Sequence, residues 1–138
     1  KRRQVVLFGG VTAPADAKGA QTFLNDTSIW ESGKWRKAAE GGPRGRYAHG
    51  MVFDERAGAV VLYGGAAAHK GAPLSDMWQW DGAGWSEIKM TGPTPGNRYQ
   101  PLMVYDVKHE KIVLYGGLAD FKDDTWEWDG KQWIEVRP

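Results

Sequence analysis

The sequence contains no cysteine, which excludes disulfide bonds, a thiolate metal site and a cysteine nucleophile. It also carries little net charge, because 18 basic and 17 acidic residues leave a formal +1. This balance gives no electrostatic reason to expect nucleic acid as a partner. The longest apolar runs are about six residues, far short of the ~20 that a helix needs to cross a membrane. We therefore expect no nucleic-acid partner and no membrane insertion.

Signatures of common active sites are missing as well. The chain has no nucleophile elbow, no phosphate-binding glycine loop and no HExxH helix. Its three histidines, His49, His69 and His109, are too dispersed in the sequence to indicate a metal site. The sequence thus indicates no catalytic residue, no metal and no cofactor, and it favours a non-catalytic role without deciding the question.

Glycine and tryptophan are abundant, with 19 and eight residues, and both fall at repeating positions. One segment is written three times: VVLFGG at 5–10, VVLYGG at 60–65 and IVLYGG at 112–117. The copies start roughly 50 residues apart, a period typical of repeat architectures. An unbroken apolar run predicts a strand buried on both faces, and glycine at its end permits a positive φ where the chain turns. We therefore expect three similar sheets stacked face to face.

The second unit shows the order of strands within a repeat. Its predicted strands are residues 46–54, 60–65, 76–80 and 85–90, and the Asp-Gly turn between the last two is a strong hairpin signal. The third unit repeats this order, whereas the first begins at its second strand. The three units are residues 4–41, 46–90 and 98–137 of a single domain that spans 1–138.

The recurring pattern is a strand ended by Gly-Gly, an aspartate, a tryptophan, six residues and a second tryptophan. It resembles the kelch repeat of β-propellers, in a form similar to bacterial kelch proteins related to the central domain of galactose oxidase. The resemblance covers essentially the whole chain and implies four-stranded blades around a central axis. The chain departs from it at Ser28 and at Pro101, where the second unit has His49. We expect an all-β fold of about three kelch-type propeller blades, each a four-stranded antiparallel meander, with the first blade lacking its innermost strand.

Three blades cannot close a ring by themselves. We expect the first and last to expose residues 5–7 and 112–114, and large exposed apolar patches mark interaction surfaces. Two hypotheses stay open. Either two chains form a homo-oligomer with a six-bladed ring, or the chain is a segment of a longer propeller.

Loops of varying length are expected at one end of such a stack. In an up-and-down meander, the connections from the second to the third strand share an end with the links between units. Variable loops on a uniform scaffold are common binding sites, and the kelch resemblance implies a partner at the same place. The candidate ligand-binding residues at this rim are Arg44, Arg46, His69, Lys70, Arg98, Asp120, Phe121 and Lys122.

Several of these residues have a structural alternative. Arg46 and Arg98 recur at one repeat position, so they either hold an anionic ligand or an acidic peptide, or tie units together through Asp76 and Asp124. The tryptophans stack on sugar rings if they are exposed, but their strict recurrence favours packing between units, and His49 is expected in the core. Repeated acids at strand ends are expected to bond backbone N–H groups. These are Asp54, Asp81, Asp106 and Asp129.

The predicted function is a non-catalytic scaffold that binds a protein or peptide through the variable-loop rim. The alternative is a sugar-binding or enzymatic propeller whose site is completed by other blades. The resemblance to galactose oxidase would imply copper and a tyrosine crosslinked to cysteine, and the lack of cysteine excludes that chemistry. The compartment is open, although the resemblance to exported bacterial proteins favours an extracytoplasmic location.

Overall fold

The computed structural model describes residues 3–12, 21–69, 71–119 and 122–137. Over these ranges the regular structure is entirely β, which confirms the all-β expectation, and no helix there could cross a membrane. The strands form three antiparallel sheets in which chain neighbours pair in order. Sheet 1 contains β1 (Val5–Val11), β2 (Phe23–Glu31) and β3 (Lys34–Glu40). Sheet 2 contains β4 (Gly50–Asp54), β5 (Ala59–Tyr63), β6 (Met77–Trp80) and β7 (Trp85–Glu87). Sheet 3 contains β8 (Leu102–Asp106), β9 (Lys111–Tyr115), β10 (Thr125–Trp128) and β11 (Trp133–Val136).

Sheets 2 and 3 are four-stranded meanders of the predicted order, and sheet 1 has three strands. β1, β5 and β9 hold the same place in their sheets. Val60 lies opposite Trp80, for example, and Ile112 lies opposite Trp128. β5 and β9 are also paired on their other edge, with β4 and β8, whereas no described strand pairs with that edge of β1.

The first strands of the second and third units are shorter than predicted. β4 begins at Gly50 and β8 at Leu102, both four residues after the predicted starts. Ala48 and Gln100 adopt left-handed φ angles of 54° and 55°, so the chain bends just before each strand. Neither residue is glycine or asparagine, and the bend therefore has no local signal in the sequence.

The glycine doublets end the second strands of sheets 2 and 3 as expected. All six glycines have positive φ, a region that other L-residues rarely adopt, and in these two sheets the doublet turns the chain out of the sheet. In sheet 1, β1 continues past its doublet to Val11, after a register shift that follows Phe8. The φ angles are 67° and 113° at Gly9 and Gly10, 68° and 96° at Gly64 and Gly65, and 61° and 112° at Gly116 and Gly117.

Each sheet has two distinct faces, and we name them by their aromatic residues. The front face carries the unit's cross-strand tryptophan pair, and the back face carries the aromatic residue on the second strand. These aromatic residues make the same contact between sheets twice. The rings of Phe8 and Trp85 lie 5.1 Å apart, edge to face, and those of Tyr63 and Trp133 lie 5.6 Å apart. The front of sheet 2 thus packs on the back of sheet 1, and the front of sheet 3 packs on the back of sheet 2.

A cluster of buried apolar side chains lies between sheets 2 and 3. Burial of one large apolar side chain contributes roughly 1.5–3 kcal/mol, so this cluster is a main source of the stability of the stack. The back of sheet 2 contributes Val61, Tyr63 and Met77, and the front of sheet 3 contributes Ile112, Leu114, Trp126, Trp128 and Trp133.

Two faces remain open, the front of sheet 1 and the back of sheet 3. Val5 and Leu7 are exposed on the first, as expected. The expectation for 112–114 was wrong in part, because Ile112 and Leu114 are fully buried against sheet 2. Side chains alternate between the faces of a strand, so the open back of sheet 3 presents the other set. It carries Leu102, Val104, Tyr115, Ile134 and Val136.

Candidate functional site

The predicted loops gather at one end of the sheets, in an arrangement that we call the loop rim. Its described residues are 41–49, 64–69, 71–76, 91–101, 116–119 and 122–124. Backbone bonds tie each link between sheets to the loop beside it. Tyr47 and Ala66 exchange two hydrogen bonds of 2.9 Å, and Tyr99 and Leu118 exchange bonds of 2.9 and 2.7 Å. The links between units and the loops from second to third strand therefore share one end of the stack.

Arg46, on the loop rim, bonds to both of the sheets beside it. Its buried guanidinium donates from Nη1 to the Gly64 carbonyl (2.8 Å) and to Asp76 Oδ1 (2.6 Å), and from Nη2 to Asp76 Oδ2 (2.7 Å). Its backbone bonds the preceding sheet, since Gly10 N donates to the Arg46 carbonyl (2.8 Å) and Arg46 N donates to the Leu24 carbonyl (3.1 Å). The side chain thus holds sheet 2 while the main chain holds sheet 1.

Arg98 repeats this arrangement one sheet further on. Its Nη1 donates to the Gly116 carbonyl (2.7 Å) and to Asp124 Oδ1 (2.8 Å), and its Nη2 donates to Asp124 Oδ2 (3.0 Å). Gly65 N donates to the Arg98 carbonyl (2.9 Å), and Arg98 N donates to the Leu74 carbonyl (3.1 Å). The pair of arginines therefore joins all three sheets.

This geometry bears on the two interpretations of Arg46 and Arg98. Both side chains are fully buried, and each makes a bidentate, charge-assisted pair with its aspartate. Breaking such a pair leaves an uncompensated buried charge, which is strongly destabilising. Their burial and pairing therefore favour the structural interpretation, in which the two arginines tie the sheets together.

The aspartate partners are held in the charged form. The hydrogen bond from Arg98 lowers the pKa of Asp124 to about 2, and the indole of Trp126 donates to the same carboxylate (2.7 Å). Burial by itself raises the pKa of Asp76, but hydrogen bonds from Arg46 and Trp78 outweigh it, so the net pKa lies below the usual value. These indole bonds were missed from the sequence, although the Asp-x-Trp spacing signalled them.

The predicted site residues fall into three groups. Arg44 and His69 have exposed side chains on the loop rim. Lys122 is half-buried and donates from Nζ to the Pro95 carbonyl (3.1 Å), which also accepts a hydrogen bond from Arg98. The rim therefore brings together Arg44, Arg46, His69, Arg98 and Lys122, of which Arg44 and His69 are open to a partner. Lys70, Asp120 and Phe121 lie outside the described residues.

His49 is packed as expected but is not satisfied. Its ring meets Phe8 edge to face at 5.8 Å, and its Nδ1 is buried without a hydrogen-bond partner among the described residues. Burial, with a smaller contribution from the charge of Arg46, lowers its pKa to about 4. The imidazole is therefore neutral at pH 7 and behaves as part of the apolar packing between sheets 1 and 2.

The repeated acids at the opposite end of the sheets have local roles. Asp54 accepts from Ala57 N, and Asp106 accepts from the N–H groups of Lys108 and His109. The two hairpin aspartates each accept two backbone N–H bonds, which confirms the expected role in turns. Among the described residues, no three histidine or acidic side chains approach closely enough to hold a metal ion. The hairpin aspartates are Asp81 and Asp129.

A hollow of about 1050 Å³, which we call the slot, lies between sheets 1 and 2, away from the loop rim. It follows the edge of β1 that no described strand pairs with, and Val5, Met51, Phe53 and Trp80 line it. The sequence contained the signal for it, which is the missing first strand of the first unit. The three-dimensional consequence, a slot beside β4, was not predicted.

No protein-family model matches this chain, and no curated protein sequence is significantly similar to it. The kelch resemblance therefore depends on the repeated residues themselves. What can be concluded about function comes from the geometry of the sheets, the loop rim and the slot.

Proposed function

We propose that the chain is a non-catalytic binding scaffold made of three kelch-type propeller blades. In this proposal the three sheets are blades around a common axis, and the loop rim binds a protein or a peptide. The exposed Arg44 and His69 are available for that contact. The buried charges of the rim, Arg46 and Arg98, set the positions of the loops instead.

The observation that carries the propeller assignment is the repeated contact between front and back faces. The same contact occurs between sheets 1 and 2 and between sheets 2 and 3, so each sheet packs on the next in the same way. The open front of sheet 1 and the open back of sheet 3 each carry one side of this contact, without a described sheet against it. Trp35 on sheet 1 is 49% exposed, whereas its equivalent Trp133 is 2% exposed, and Tyr115 on sheet 3 is 48% exposed, whereas its equivalent Tyr63 is fully buried.

The match between the open faces extends to a hydrogen bond. Trp85 Nε1 donates to the Thr27 hydroxyl (2.8 Å) across the first contact. Thr27 lies opposite Phe8 on sheet 1, and Thr125 lies opposite Tyr115 at the equivalent place on sheet 3. A further unit that presents a residue like Trp35 would find both the aromatic ring and the hydroxyl in place. This favours ring completion by units of the same kind.

The further units come either from a second copy of the chain or from the same chain in a longer protein. Mass measurement by light scattering after gel filtration separates the two. A six-bladed ring of two copies has twice the 15.3 kDa mass of the chain, and Trp35→Glu should reduce it to the monomer. Lys108→Glu, in an exposed turn at the opposite end, serves as the control. A wild-type monomer at high concentration contradicts self-association and leaves the longer chain.

Binding at the loop rim is tested with a random peptide library selected on the immobilised protein. Selected peptides should lose binding to a variant with Arg44→Ala and His69→Ala. They should retain binding to a variant with Glu55→Ala and Lys108→Ala, which changes the opposite end of the sheets. Peptides that behave in the reverse way would place the binding surface away from the rim.

A second candidate, sugar binding, has one observation in its favour. Trp30 and Trp35 form an exposed pair on the front of sheet 1, with ring centroids 5.5 Å apart. Exposed indoles provide stacking surfaces, but the equivalent pairs of sheets 2 and 3 pack against a neighbouring sheet. Titration of neutral oligosaccharides should therefore leave tryptophan fluorescence unchanged. Saturable quenching that Trp35→Ala abolishes would favour this candidate.

A further inference from the structure

The slot between sheets 1 and 2 has the position of a missing strand. β5 and β9 pair on both edges, while β1 pairs only with β2 among the described strands. An unpaired edge presents a row of backbone N–H and C=O groups, which is a template for another strand. The slot of about 1050 Å³ lies beside the start of this edge, at Val5 and Val6, and Met51 and Phe53 on the front of β4 line its other side.

The neighbouring sheets show what an occupant would contact. β8 packs against β4, and there Tyr105 and Val52 are partly buried and pack against the buried cluster between sheets 2 and 3. Phe53 is the equivalent of Tyr105 on sheet 2, yet it is 45% exposed, because no described strand of sheet 1 lies against it. A strand beside β1 would cover Phe53 in the way that β4 covers Tyr105.

Beyond the slot, toward the loop rim, sheet 1 offers the acceptors of an arginine tie. Asp26 and the Gly9 carbonyl hold the places that Asp76 and the Gly64 carbonyl hold in sheet 2. No described arginine bonds to Asp26. Its unit also has Ser28 in place of the tryptophan that donates to the equivalent aspartates. The aspartate thus lacks both donors that its two equivalents have.

We propose that this slot binds an extended peptide segment of the pattern Arg-Tyr-x-x-Gly-x-Val-x-Asp, like the first strand of a further unit. The arginine pairs with Asp26 and the Gly9 carbonyl, and the last five residues add a strand to β1. The valine covers Phe53. In sheet 2, a Cβ at Gly50 would overlap the side chain of Met103 on sheet 3. Met51 is the equivalent of Met103 one sheet earlier. The residue of the segment that faces Met51 must therefore be glycine. The assignment depends on the equivalence of the three sheets and is independent of binding at the loop rim.

The probe is a blocked synthetic peptide of residues 46–54, RYAHGMVFD, added to the intact chain. Calorimetry should show saturable binding of one peptide per chain. Replacing its arginine by alanine should weaken binding about tenfold or more, as expected for loss of a charge-assisted bidentate pair. The peptide of residues 98–106, which has leucine in place of the glycine, should bind more weakly than the first.

Protein variants locate the site. Asp26→Asn should weaken binding of the arginine peptide about tenfold and leave binding of the alanine peptide unchanged. The control is Asp123→Asn, at an exposed position in the unit of sheet 3, which should leave the affinity for both peptides unchanged. Circular dichroism and urea unfolding establish that each variant is folded. Hydrogen exchange should show new protection of β1 amides on binding. Absence of binding at about 1 mM peptide, equal affinity for both peptides, or protection confined to sheet 3 would overturn the proposal.

Discussion

The indole N–H of Trp85 donates a 2.8 Å hydrogen bond to the hydroxyl of Thr27, and this bond joins sheet 2 to sheet 1. The equivalent indole of sheet 3, Trp133, is buried and its Nε1 has no partner among the described residues. The reason is that Met77 takes the place of Thr27 in sheet 2, opposite Tyr63. The two contacts therefore share their aromatic packing and differ in one hydrogen bond.

Thr27→Val should destabilise the chain by about 1–3 kcal/mol, because it leaves the N–H of Trp85 buried without an acceptor. Urea unfolding followed by tryptophan fluorescence measures the change. Thr125→Val is the matched control, since Thr125 lies on the open back of sheet 3, and its effect should stay within about 0.5 kcal/mol. Equal losses from both substitutions would show that the hydroxyl matters within its own sheet and not for the contact between sheets.

The arginine ties give a second matched pair. Asp124→Asn removes the charge opposite the fully buried Arg98, and we expect a loss of about 3–5 kcal/mol in the free energy of unfolding. Asp26→Asn changes the equivalent aspartate of sheet 1, which no described arginine contacts, and should cost less than about 1 kcal/mol. Chemical denaturation at pH 7 measures both variants. A large loss for Asp26→Asn would mean that its carboxylate already has a structural role.

The glycine doublets differ in what lies beside them. Gly64 and Gly116 have similar φ angles, 68° and 61°, but a Cβ at Gly64 would overlap the Arg98 carbonyl, whereas at Gly116 the nearest atom is the Lys122 carbonyl at 3.1 Å. Gly116→Ala should cost about 1–2 kcal/mol for the left-handed backbone alone. Gly64→Ala adds the overlap and should cost about 3 kcal/mol or more. Thermal unfolding that ranks the two variants in the opposite order would contradict the close approach of sheets 2 and 3.

Much of this architecture is readable in the sequence, and the failures have physical causes. The repeat places the second strands, the doublets and the tryptophans correctly, because each is specified by local residue type. Which face of a strand is open depends instead on the side from which the next sheet packs. The sequence pattern leaves that choice free, and this is why Ile112 and Leu114 were expected on the open face.

The site was harder to predict than the fold. Arg46 and Arg98 stand out in the sequence for either role, and only their burial against Asp76 and Asp124 favours the structural one. The bends at Ala48 and Gln100 could not be read from the sequence, since neither residue favours a positive φ. The slot exists because β4 and the free edge of β1 are adjacent in space, which a repeat pattern does not state.

His49 should make the stability of the chain depend on pH between about 4 and 6.5. Its pKa is about 4 in the folded chain, against an ordinary value of 6.5 for a solvated histidine, so the unfolded chain binds the proton first as the pH falls. The free energy of unfolding is therefore highest above pH 6.5 and declines by up to about 3 kcal/mol toward pH 4. The aspartates of the arginine ties affect stability at lower pH. The pKa of Asp124 is about 2 in the folded chain, against an ordinary 3.8, so its contribution to stability is lost only as the pH falls through that range.

Urea unfolding at pH 7.0 and 4.5 measures the loss of stability between the two pH values. This loss should be smaller for His49→Gln than for the wild type, while the exposed control His69→Gln should keep the wild-type loss. An unchanged difference in His49→Gln would show that another group binds the proton.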